Sequence, residues 1–126
     1  MSSVSHCVVL GAGLMGRLLA HSLARLGHRV DVYEAQGPDA LGSAARVAAA
    51  MLAPLAESAI TELPVVRMGQ HALKRWPELL YELQQPVFFQ QNGTLIVWHR
   101  QDAPEAQRFA QLLARTQTQL PSLPAL

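Results

Sequence analysis

Cysteine is nearly missing from the 126-residue sequence. Cys7 stands alone, so no internal disulfide can form, and no CxxC or resolving partner supports redox chemistry at it. Within Cys7-Val8-Val9-Leu10 it reads as a small buried hydrophobe, and a lone thiol fits a reducing compartment. Long apolar runs are missing too. The longest, Val47 to Ala56, is broken by Pro54 and is too short to span a bilayer. No charged segment followed by a signal-length apolar stretch opens the sequence, so a soluble cytoplasmic protein is expected. Charge of either sign is scarce: ten Lys/Arg face nine Asp/Glu, the net charge is +1, and Lys74 is the single lysine. Neither nucleic acid nor membrane is expected as a partner on that balance. The aromatic residues Trp76, Tyr81, Phe88, Phe89 and Trp98 lack the basic groove of a base-stacking surface and read as core. His6, His21, His28, His71 and His99 show no metal-ligand spacing, so no metal is expected. Ser22 and Ser58 lie in no GxSxG elbow, which leaves serine hydrolysis unsupported.

What the chain does have is apolar residues, 50% of the total, enough for the core of one modest domain. Ser5 to Leu10 is short, β-branched and bounded by glycine, the pattern of a buried parallel strand. From Gly13 to Leu26 the residues Leu14, Leu18, Leu19, Ser22, Leu23 and Leu26 recur at helical spacing, and Gly27 supplies a stop. Arg29 to Glu34 is a second strand. Strand, helix and strand within about thirty residues predict a right-handed βαβ crossover.

Gly11-Ala12-Gly13-Leu14-Met15-Gly16 lies at the first strand-to-helix turn. GxGxxG alone is a weak signal, but here a strand precedes it, a helix opens within it, and an acid closes the next strand. Gly11 would permit the tight turn, Gly13 the approach of a pyrophosphate, and Gly16 close packing of the helix on the sheet. The helix N-terminus offers free N–H groups and partial positive charge to phosphates. Glu34, about twenty residues past Gly13, stands where a carboxylate accepts the ribose hydroxyls of an adenosine and repels a 2′-phosphate. The unit reads the ADP half of a dinucleotide, which FAD and NAD share.

Further along, Gln36 to Ser43 is predicted as a loop and alanine-rich Ser43 to Met51 as a short helix ending before Pro54. Leu63 to Gln85 is helical through Val66, Leu73, Leu80 and Leu83, interrupted or kinked by Pro77. Val87 to Phe89 and Thr94 to Trp98 are expected as strands of a hairpin around Asn92-Gly93. A last helix starts near Asp102, with Asp102 and Glu105 at capping-box spacing and Pro104 in the first turn. Glu78 and Glu82 form an i, i+4 pair of like charges. The chain divides on this reading into a nucleotide-binding segment, 1–62, and a segment of helices and hairpin, 63–126.

Ser43-Ala44-Ala45-Arg46-Val47-Ala48-Ala49-Ala50-Met51-Leu52-Ala53-Pro54 resembles the second signature of the D-amino-acid oxidase family, most nearly the glycine oxidases of thiamine biosynthesis. The resemblance continues at Trp76-Pro77-Glu78-Leu79-Leu80 and Gln91-Asn92-Gly93-Thr94-Leu95-Ile96-Val97, in the family's order, as far as Phe109. It implies an FAD-binding Rossmann-type unit followed by the start of a substrate domain. It also implies that Leu14, Met15, Glu34 and Ala35 contact the phosphates and adenosine, and that Ala44, Ala45, Ala49, Ala50 and Met51 run along the cofactor. Small side chains suit that role, because main-chain N–H groups reach a ligand only where bulk is absent. Met51 lies near the flavin on this reading, or is a core methionine on a short helix. Ala50 replaces a frequent glycine, which suits a helical backbone and not a positive φ.

The fold class expected is therefore α/β. The activity implied by the resemblance is oxidation of glycine or another small amino acid to the imine, with dioxygen as acceptor. Catalytic residues are not identified: the family's substrate-carboxylate arginine has no match here, and Arg46 has no family counterpart as a clamp. Members of the family run to more than twice this length, so an incomplete chain is expected, inactive alone and either marginally stable or self-associating to cover apolar surface. The alternatives are the N-terminal domain of an NAD-dependent dehydrogenase and a non-catalytic nucleotide-binding fragment.

Overall fold

A computed structural model describes residues 3–123. The chain folds as two compact units, one up to Met51 and one from Leu52. This division precedes the boundary at residue 62 read from the sequence, because Pro54–Glu57 packs with the long helix that follows it.

The first unit is the expected βαβ crossover. β1 (His6–Leu10) and β2 (Arg29–Tyr33) pair in parallel, His6 opposite Arg29 and Leu10 opposite Tyr33. α1 (Leu14–Arg25) connects them. Its stop is a Schellman turn at Gly27, whose φ is +85°. There Gly27 N–H donates to the Ala24 carbonyl at 2.9 Å, and His28 N–H donates to the Leu23 carbonyl at 3.1 Å. α1 covers one sheet face, where Val9 is buried. The opposite face leaves Val8, Leu10 and Tyr33 exposed and carries a 2.7 Å contact of His6 Nε2 with Asp31 Oδ2. On α1 itself Leu18 and Leu23 are half-buried, while Leu19 and, just past the helix, Leu26 face solvent.

No helix spans Ser43 to Met51. Ala44–Arg46 makes one 3-10 turn and the chain then runs irregularly. Arg46 holds this turn, its Nε and Nη2 donating to the Asp39 carbonyl at 3.0 and 2.7 Å. Ala50 has φ +55°, so this alanine occupies the left-handed backbone that favours glycine. The helical backbone expected there is thereby corrected: one αL residue stops helix propagation.

The second unit contains α2 (Pro54–Glu57), α3 (Leu63–Leu83) and α4 (Ala103–Gln119). Val66, Leu120 and Leu123 form its buried cluster, with Leu55 and Leu63 packed against it. α2 meets α3 at Gly69, where a Cβ would come within 2.8 Å of Pro54 Cβ. Pro77 lies inside α3, which continues through it. Proline has no N–H for the carbonyl four residues back, that of Leu73. Gln91 Nε2 donates to that carbonyl at 2.7 Å and replaces the lost bond. Leu79 is buried on α3 where periodicity favoured Leu80 and Leu83; Leu80 is half-buried and Leu83 exposed. Glu78 and Glu82 are not simply solvated, since Arg75 Nη1 lies 2.7 Å from the first and 3.8 Å from the second. Asp102 is the N-cap of α4, as expected, but makes no side-chain capping bond.

The hairpin is the clearest correction. Gly93 has the positive φ of a turn, +83°, yet neither Val87–Phe89 nor Thr94–Trp98 is a strand, and Phe88, Leu95 and Val97 are exposed. Two short strands without a third, and with no apolar face packed on a neighbour, are marginal in water.

Candidate nucleotide-binding site

The site lies at the carboxyl ends of β1 and β2, where open α/β sheets place their ligands. Leaving β1, Gly11 takes φ +97°, closed to most L side chains, and its N–H donates to the Tyr33 carbonyl at 2.7 Å. Gly13 is the N-cap of α1 in an extended conformation that any residue adopts. A Cβ there would meet only Ser43 Oγ, at 3.5 Å. Gly16 is different: its Cβ would fall 1.9 Å from the Gly11 carbonyl oxygen, backbone against backbone.

The N-terminus of α1 has no side-chain cap and no acid in its first turn. Its N–H groups and positive dipole end remain available to an anion. With the bare Cα of Gly13 beside it, this cradle fits a pyrophosphate. Leu14 and Met15 open the helix with exposed side chains, so any contact they make to phosphate is through backbone.

Glu34 follows directly after β2 and reaches back to the glycine turn. Its Oε2 accepts the Ala12 N–H at 2.6 Å, and its Oε1 accepts the Gln36 N–H at 3.2 Å. The Ala12 bond, then that of Gln36, holds its carboxyl below the ordinary 4.5; nearby Arg17 acts in the same direction. An open cleft of about 590 Å³ extends from this carboxylate, lined by Ala12, Arg17, Val32, Tyr33, Glu34 and Pro38. A carboxylate fixed by two backbone donors keeps lone pairs free for a diol.

The structure thus gathers Gly11, Gly13, Gly16 and Glu34 around one turn, with Ala35 next to Glu34 and Ser43 beside Gly13. Ala44 and Ala45 begin the 3-10 turn immediately after Ser43. Ala49, Ala50 and Met51 lie in irregular, exposed chain, which removes the reading of Met51 as a core methionine. Arg17 was not singled out by sequence. Its Nε donates to the Ala12 carbonyl at 2.6 Å and its Nη2 to the Pro38 carbonyl at 2.5 Å. One signal pointed to it: a cation at the positive end of a helix opposes the dipole and needs another reason to be there.

In the second unit, an apolar groove of about 260 Å³ lies between Leu52, Pro54, Val65, Val66 and Gly69. Among the described residues no group of His, Cys, Asp and Glu is placed to hold a metal ion, and no helix is long and apolar enough to cross a membrane.

Comparison with known proteins shows the family. The family described as "DAO: FAD dependent oxidoreductase" matches residues 6–123. A protein of Cupriavidus necator named tRNA 5-methylaminomethyl-2-thiouridine biosynthesis bifunctional protein MnmC is 35% identical over 106 residues, covering 83% of this chain. The chain spans 16% of the length of that relative. No solved structure matches. Since that family uses FAD, the choice between FAD and NAD left open by the βαβ unit falls to FAD, and the chain belongs to the FAD-dependent oxidoreductases of the DAO family.

Proposed function

We propose that the first unit holds the ADP half of FAD and that the protein oxidises the C–N bond of a small amino acid such as glycine, in the service of thiamine biosynthesis. The observation that carries the nucleotide part is Glu34, which accepts the Ala12 N–H across the cleft at 2.6 Å. Gly13 and the open end of α1 would take the pyrophosphate, Glu34 the ribose hydroxyls, and the backbone of Ala44 to Met51 the length of the cofactor. Bound FAD would supply the chemistry, accepting hydride from the substrate and passing electrons to dioxygen. This chain's residues bind and orient. A cytoplasmic location and self-association through the uncovered face of Val8, Leu10 and Tyr33 belong to the same proposal.

The likeness to the Cupriavidus necator protein supports a second reading, a part in the biosynthesis of 5-methylaminomethyl-2-thiouridine in tRNA. The near-neutral charge of this chain gives it no electrostatic hold on RNA. Titration with FAD, followed by flavin absorbance and fluorescence, tests the cofactor assignment; absence of saturable binding refutes it. Peroxide release from glycine, set beside the modified-nucleoside content of tRNA in cells lacking the gene, separates the two substrates.

A further inference from the structure

Arg17 has no task in the site as read from the glycine motif. It lies near the positive end of α1, where a cation is electrostatically disfavoured. Two hydrogen bonds hold it there, and both go to backbone carbonyls of the cleft. The Ala12 carbonyl belongs to the glycine turn, and the Pro38 carbonyl belongs to the loop after β2. The N–H of the same Ala12 is taken by Glu34. Ala12 is therefore gripped from two sides, its carbonyl by Arg17 and its N–H by Glu34, and the guanidinium carries that grip on to Pro38. All four residues line the one cleft. A guanidinium presents donors in a fixed planar fork and spans two carbonyls at set geometry, which a single ammonium on a flexible stem does not reproduce.

We propose that Arg17 is a positioning residue of the ribose site, bridging the glycine turn to the loop after β2 so that Glu34 meets the ribose hydroxyls in one fixed geometry. This deepens the nucleotide reading given above and rests on it. Arg17 need not touch the ligand; it acts through Ala12 and Pro38. Recognition of a diol by a carboxylate depends on placement within about 0.5 Å, and supporting hydrogen bonds provide that placement.

The test is calorimetric titration of the full chain with ADP and with 2′-deoxy-ADP. The unmodified chain should prefer ADP by about tenfold, the equivalent of one charge-assisted hydrogen bond. Arg17→Met keeps the apolar stem and removes the fork. It should weaken ADP by a similar factor and leave 2′-deoxy-ADP little changed, so that the preference falls toward unity. Arg17→Lys keeps charge and stem, and should also lose most of the preference; it carries the comparison should Arg17→Met fail to fold. Equal weakening of both ligands, with the preference intact, marks a role in general stability and overturns the proposal. Unchanged binding by both variants overturns it as well. An unmodified chain that binds neither nucleotide removes the ADP-site reading itself, and this proposal with it.

Discussion

The glycines of the turn separate fold from ligand binding. At Gly16 an added Cβ would fall 1.9 Å from the Gly11 carbonyl oxygen, well inside any real contact. Neither partner is a side chain, so α1 must move away from β1 or the turn must open. Overpacking of this kind costs about 1–3 kcal/mol, and the rigid partner places Gly16→Ala toward the upper end. At roughly 4 °C per kcal/mol for a chain of this size, the melting temperature should fall by about 8–12 °C. At Gly13 the same methyl group meets only Ser43 Oγ at 3.5 Å, and the backbone is extended. Gly13→Ala should therefore melt within a degree or two of the unmodified chain. Its effect should fall on the ligand, because the methyl would occupy the space through which a pyrophosphate reaches the backbone. Loss of FAD affinity by about tenfold or more is expected, or ~1.4 kcal/mol. Thermal unfolding without nucleotide, then FAD titration of folded protein, reads the two effects separately. Leu23→Met on the same helix serves as the control and should change neither. The reasoning fails if Gly13→Ala destabilises the free chain as much as Gly16→Ala, or if Gly13→Ala binds FAD normally.

Two further outcomes follow from particular residues. The folded-state pKa of Glu34 lies below the ordinary 4.5, so the stabilisation it gives is complete above that value and is lost as pH falls through the lower, folded one. FAD affinity in the unmodified chain should hold from neutrality through that ordinary value and fail only as pH falls through the lower, folded one, whereas Glu34→Gln should bind weakly throughout and lack this acid limb; identical profiles would remove Glu34 from the site. Ala50→Gly should raise stability by about 1 kcal/mol, since relief of a left-handed alanine exceeds the added chain entropy of glycine. Denaturant unfolding measures it, and a lower midpoint would show that φ +55° is not a strain on the fold.

What was legible in the sequence is what short-range contacts decide. The βαβ unit needs only residues close in sequence, and its signals agree with one another: glycine off the strand, apolar spacing along α1, Gly27 at φ +85° after it. The helix from Leu63 was legible for the same reason, and its passage through Pro77 was not. Whether a proline ends a helix depends on who takes the orphaned carbonyl, and Gln91, far along the chain, takes that of Leu73. The hairpin failed in the opposite sense. Asn92-Gly93 specifies a turn, but alternation from Val87 to Trp98 specifies a strand only where a sheet receives it, and among the described residues none pairs with it.

The site was legible where chemistry and backbone geometry demand one residue type, and illegible where a side chain serves the backbone. Gly11 and Gly16 are each forced, one by a φ of +97° and the other by a carbonyl at 1.9 Å, and sequence pattern finds residues that admit no substitute. Glu34 was singled out because an adenosine diol calls for a carboxylate at the end of the second strand, and the fold brings that carboxylate back to the glycine turn. Arg17 had no such signature, since its partners are carbonyls that every residue carries. Its partners become visible only when the fold brings the Ala12 and Pro38 carbonyls within reach of one guanidinium. On the reading proposed above, the glycine motif would mark the path of the phosphates, and the ribose end would be held by an arginine the motif does not contain. The same holds for Ala50: the sequence shows an unusual residue, and only the backbone shows that it sits at a positive φ. At both positions the informative observation is a conflict between a local preference and the place the fold assigns. Arg17 opposes the helix dipole, and Ala50 opposes the left-handed backbone. Such conflicts concentrate where binding, and not folding alone, fixes the geometry.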